Sequence, residues 1–160
     1  MKWNKLFLLA ALVFLAQFFL TGFMTVKMIR PDFIVILVFY ISLKYGRLPA
    51  VIMGFILGFL VDMTGVGSYF GLSALTCSIT GYLGGFLRGK YERYVPYIFH
   101  LSWIGIIALH FLIYTYIRFQ VVFTTDMGLF WLKWLLSFSY TFIFILVLNY
   151  FYPLKEASRA

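Results

Sequence analysis

Apolar residues in this chain come in long unbroken runs, and that pattern decides which solvent the fold must face. Six runs can be read, at about 6–24, 31–44, 48–62, 69–87, 96–117 and 129–152. A membrane β-barrel would show short segments alternating apolar and polar residues, and these runs do not alternate. Hydrophobic residues make up 64% of the chain and charged residues 11%, against about half and about a quarter in a soluble domain. A chain of this size still exposes roughly a third of its unfolded surface when folded, so no aqueous core could hide so much apolar side chain. The reading is therefore an all-α, polytopic integral membrane protein with six transmembrane helices, forming a single membrane domain over residues 1–160.

The first run follows Lys2 and Lys5 as a signal peptide would, but no small-x-small cleavage site comes after it, so it is read as an uncleaved first span. The second and third runs are short. Their uninterrupted apolar stretches, Phe33–Leu43 and Leu48–Val61, extend roughly 17 and 21 Å at 1.5 Å per residue, less than a ~30 Å hydrocarbon core. Either both borrow flanking residues and thin the bilayer, or they form a re-entrant hairpin shielded by other helices.

Charge favours two short spans. With the N-terminus in the cytoplasm, six spans put Lys2, Lys5, Lys44, Arg47, Arg88, Lys90, Arg93, Lys155 and Arg159 inside, and leave Lys27, Arg30, Arg118 and Lys133 on or near the outer side. The positive-inside rule then selects an N-in, C-in topology. The net charge of +8 is accordingly assigned to orientation and contact with anionic lipid, not to nucleic acid.

The residues that are not apolar bulk fall into a pattern. Ala50, Gly54, Gly58 and Asp62 follow one another at steps of four, as do Ser73, Cys77, Gly81 and Gly85; residues so spaced share one helix face. Small faces let membrane helices approach closely, so the two stripes are read either as a contact between spans three and four or as a groove for a partner's transmembrane helix. Asp62 is either an intramembrane carboxylate with a function or a water-accessible cap at the outer end of span three. The glycine-rich turn after it lacks the lysine and preceding strand of a phosphate loop. Cys77 reads as a packed thiol, and the histidines His100 and His110 as buried, neutral and bonded to a backbone or serine partner. Trp131, Lys133 and Trp134 read as an interfacial anchor. The sequence offers no paired carboxylates, no nucleophile with its base and no metal-ligand spacing, so neither metal nor cofactor is expected.

The stretch Arg30-Pro31-Asp32 opening span two, Gly54-xxx-Gly58-xxx-Asp62-xx-Gly65 in and after span three, and Gly71 through Ala74 running into Tyr82 resembles the rod shape-determining MreD family. Length, six spans and short second and third helices are also similar. The resemblance carries Arg30, Pro31, Asp32, Gly54, Gly58, Asp62, Gly65 and Gly71 as motif positions and implies no catalytic residue. It implies a non-enzymatic component of the bacterial cell-wall elongation machinery in the inner membrane, working with MreC. Through MreC it would meet the actin-like MreB, the glycosyltransferase RodA and RodA's partner transpeptidase. The alternative is a substrate-binding membrane subunit of an energy-coupling-factor-type vitamin transporter. It would need a pocket of convergent polar groups, and the candidates Gln17, Asp62, His110 and Asn149 are dispersed in the sequence. No small-molecule substrate is expected on the first reading.

Overall fold

The structure, a computed structural model, describes residues 3–24, 31–64, 69–92 and 95–159. Among these, every regular element is helical: α1 (Trp3–Met24), α2 (Phe33–Tyr45), α3 (Arg47–Met63), α4 (Leu72–Gly84) closed by a 3₁₀ turn (Gly85–Leu87), α5 (Pro96–Arg118), α6 (Gln120–Thr125), α7 (Met127–Phe151) and α8 (Leu154–Arg159).

Local chemistry sets most of the boundaries. Asp32 caps α2, its carboxylate accepting the N–H groups of Ile34 and Val35 at 3.1 Å each, which satisfies donors the first turn leaves free. Gly46 both ends α2 and begins α3, with φ of 92°, a left-handed conformation that glycine adopts without steric cost. Pro96 opens α5, where a missing N–H costs nothing. Asp126 caps α7 through the Leu129 N–H at 3.0 Å.

Helix α2 explains its own brevity. It is apolar all round, and Ile34 through Phe39 are consecutive and buried, as a helix enclosed by protein must be. It packs against α1, α3, α4, α7 and α8, so its surface meets helices more than solvent. The most extensive helix–helix contact is between α3 and α4, and α5 packs on α4 and α7. Around α2 the core is aromatic, with Trp103 of α5 stacked on Phe142 of α7 at 5.5 Å between ring centres. The outer faces carry exposed Leu8, Leu12, Phe19, Leu101, Leu135 and Ile143, a surface suited to lipid. Helices α5 and α7 are each long and apolar enough to cross a membrane, while Leu6–Phe19, Phe33–Tyr45 and Leu72–Leu87 are shorter apolar helices.

Several details differ from the sequence reading. The fourth run was expected to be helical from residue 69; its helix starts at Leu72 and tightens to a 3₁₀ turn at Gly85. The stretch before the sixth run contains α6, whose Phe123 ring packs edge-on against Tyr116 and Phe130. The tail after Pro153 contains α8, whose first N–H is accepted by the Asn149 side chain at 2.9 Å and whose Leu154 and Ala157 are buried. Trp134 is half-buried and donates its indole N–H to the Ala108 carbonyl of α5 at 3.2 Å. Lys133 lies over the Phe119 ring at 4.0 Å.

Candidate functional site

The two small-residue stripes face each other across the α3–α4 hairpin. A methyl group on Gly54 would lie 2.8 Å from the Cys77 carbonyl oxygen, and one on Gly58 2.5 Å from that of Ser73 and 2.6 Å from the Ala74 Cα. From the other side, a Cβ on Gly81 would meet the Ala50 carbonyl at 2.8 Å, and one on Gly85 the Arg47 backbone at 2.7 Å. From Gly58 against Ser73, through Gly54 against Cys77, to Ala50 against Gly81, each step of four along α3 is matched by a step of four along α4, and the last pair, Arg47 against Gly85, closes the seam with a step of three on α3. The obstacles are backbone atoms, which cannot swing aside as a side-chain tip can. With the Ala50, Gly54 and Gly58 face buried against α4, this surface is occupied from within and is not an open groove for a partner's helix. Cys77 is buried in the seam.

Asp62 ends the seam. Its two carboxylate oxygens accept the N–H groups of Ser73 and Ala74, each at 3.2 Å, and the residue is buried. Helix α4 begins after Gly71, which stands at φ of 89° and has no side chain to cap its own helix. Asp62 supplies from α3 the acceptor that Gly71 cannot, and a negative charge at a helix N-terminus is also favoured by the helix dipole. The carboxylate is thus a cap, as one sequence alternative had it, but on the neighbouring helix and out of water.

At the same end, Gln17 of α1 clasps the entry to α2. Its amide donates to the Pro31 carbonyl at 3.1 Å and accepts the Phe33 N–H at 2.8 Å, while the Asp32 N–H donates to the Thr141 hydroxyl of α7 at 3.2 Å. A cavity of about 40 Å³ lies beside Asp32, lined also by Gln17, Ser73, Tyr114, Arg118 and Ser137. It has room for water and not for a vitamin. Arg118 donates to the Tyr114 hydroxyl at its rim.

The opposite end of the hairpin is basic. Arg47 lies 3.4 Å above the centre of the Phe86 ring. Arg88 donates to the Tyr45 carbonyl at 3.0 Å, close beside Gly46, where a Cβ would stand 3.0 Å from the guanidinium. Helix α8 closes on the same place, the Gly89 N–H donating to the Ser158 carbonyl at 2.9 Å.

Of the motif positions, Pro31 and Asp32 lie at the entry to α2, Asp62 caps α4, Gly54 and Gly58 form the seam and Gly71 opens α4; Arg30 and Gly65 lie outside the described residues. Sequence reasoning missed Thr141 and Gly84. Gly84 sits one residue off the stripe and faces α2, where its Cβ would overlap the Ser42 hydroxyl; the adjacent glycines 84 and 85 were the only signal. His110 is buried, with its Nδ1 3.2 Å from the Thr76 backbone carbonyl, a backbone partner as expected, and 2.8 Å from the Thr80 hydroxyl. His100 corrects the other half of that expectation: it is exposed, accepting the Trp103 indole N–H at 2.9 Å. The four polar candidates for a vitamin pocket each fasten a different pair of segments, α1 to α2, α3 to α4, α5 to α4 and α7 to α8.

Among the described residues these features define an all-helical protein with apolar outer faces, in which Gln17, Asp62, His110 and Thr141 fasten one helical segment to another. The model of the family described as rod shape-determining protein MreD matches residues 1–156, and the chain belongs to that family. Comparison with curated proteins and with solved structures gives no match.

Proposed function

We propose that this chain is a six-span, N-in, C-in protein of the inner membrane. On this reading it is a non-enzymatic scaffold of the cell-wall elongation complex, engaging MreC and through it MreB, RodA and the partner transpeptidase. Membership of a shape-determining family supports the setting. The observation that carries the scaffold reading is the commitment of Asp32 and Asp62 to helix N-termini. An acid engaged in two backbone hydrogen bonds is a fastener, and a carrier or hydrolase needs its acids turned toward a substrate.

The orientation rests on the basic end of the bundle. Lys44, Arg47 and Arg88 gather with α8 there, opposite the Asp32 and Asp62 caps, and basic residues near helix ends favour the cytoplasm. Depletion of the protein in a rod-shaped host tests the function: rounded cells, with peptidoglycan synthesis losing its lateral pattern, are expected. Retained rods, together with tight binding of a vitamin by the purified protein, would overturn it.

A further inference from the structure

A second cavity is lined by no residue of the α3–α4 seam. It is a groove of about 480 Å³ floored by α2 and walled by α1 and α7, with Ala16, Leu37 and Leu148 among its apolar lining. Along α2 it runs from Phe33 to Tyr45, about 18 Å at 1.5 Å per residue, slightly more than the ~15 Å of one leaflet of a ~30 Å hydrocarbon core. Its chemistry changes at one end only. There Lys44 joins Tyr40, Tyr45 and Tyr152; the ammonium lies 5.8 Å from the centres of the Tyr45 and Tyr152 rings and 3.5 Å from the Tyr152 hydroxyl.

We propose that this groove holds an acyl chain of an anionic phospholipid from the leaflet at the Lys44 end, with the lipid phosphate against Lys44. An apolar slot one leaflet long, ending in a cation set among tyrosines, has the order of a phospholipid itself: chain, interface, charged head. Tyrosine suits the headgroup level because its ring is apolar and its tip polar, and a lysine near the surface attracts anionic lipid. A partner's helix fits less well. At 10–12 Å across, a helix over the same length fills roughly 1,400–2,000 Å³, more than the whole empty space of about 1170 Å³ in the groove with its open side included. The inference goes beyond the scaffold reading and holds whichever way the chain faces.

The test uses the full-length chain in nanodiscs of phosphatidylcholine, doped with phosphatidylglycerol carrying a photoreactive diazirine on its acyl chain. Labelled residues are mapped by mass spectrometry. Labelling is expected to concentrate on the groove, at Val13 and Leu37. Lys44→Gln should lower it about fivefold, while Lys90→Gln leaves it unchanged. Ala16→Phe, which fills the slot, should abolish it. Equal groove labelling by phosphatidylcholine bearing the same chain would overturn the anionic assignment. An unlabelled groove would overturn the site itself, as would capture of a protein helix there in cells by a photoreactive amino acid at Leu37.

Discussion

The carboxylate of Asp62, at the end of α3, accepts the backbone N–H of Ser73 in the first turn of α4 at 3.2 Å, and its second oxygen takes the N–H of Ala74 at the same distance. One helix of the hairpin therefore caps the next. The cap stands where the glycine seam ends, so backbone contact and polar closure reinforce each other: the glycines let the helices approach, and the approach brings the carboxylate within reach.

The seam makes a sharp expectation for Gly58. A Cβ there already meets the Ser73 carbonyl at 2.5 Å, so Gly58→Leu must push two backbones apart. Overpacking costs typically about 1–3 kcal/mol, and contact with rigid backbone puts this site at the upper end. Detergent-solubilised yield of folded protein should drop markedly. Ile56→Leu, on the exposed face of the same helix, should leave the yield unchanged.

Asp62→Ala removes the cap and leaves two buried N–H groups without acceptors. Loss of an N-cap, with the desolvation of orphaned donors, amounts to about 1–3 kcal/mol. Thermal unfolding in detergent should show the loss, and limited proteolysis should open the chain first near residues 64–72. An unchanged melting temperature would mean that α4 finds its acceptors elsewhere.

The proposed orientation can be read with reporters. Fusions after Arg159 and within the Arg47 turn should be active in the cytoplasm, and an insertion near Gly67 on the outer side. A periplasmic signal at Arg47 would remove α2 and α3 from the count of spans while leaving the C-terminus inside.

Parts of this arrangement are legible in the sequence because they repeat at the helical period. The small residues of 50, 54 and 58 and of 73, 77, 81 and 85 stand four apart, so a backbone-close face can be read without knowing what it meets. What it meets is set by hairpin register, and no period encodes that; hence the choice between an internal seam and a partner groove stayed open until the positions of Cys77 and Ser73 were seen. Asp62 was recognisable as exceptional because an acid beside a membrane segment is costly, but its acceptor role depends on Gly71, nine residues on, leaving α4 without a cap of its own. Gln17 and Thr141 were invisible as a clasp because their partners, at Pro31, Asp32 and Phe33, lie 14 to 109 residues away. The bond from the Trp134 indole to the Ala108 carbonyl was not legible either, because its acceptor lies on α5, 26 residues away.

The central claim is that the capping acids serve architecture and not chemistry, and Asp62→Asn tests it most directly. Asparagine retains a side-chain oxygen to accept an N–H of α4 but cannot carry a charge or pass a proton as a carboxylate does. Introduced into a rod-shaped host depleted of the native protein, Asp62→Asn should restore rod shape, with folded protein at a level between those of the native chain and Asp62→Ala, because one of the two N–H groups of α4 loses its acceptor. Rounded cells at a normal level of folded protein would contradict the account, because the carboxylate would then be doing something that capping a helix does not require.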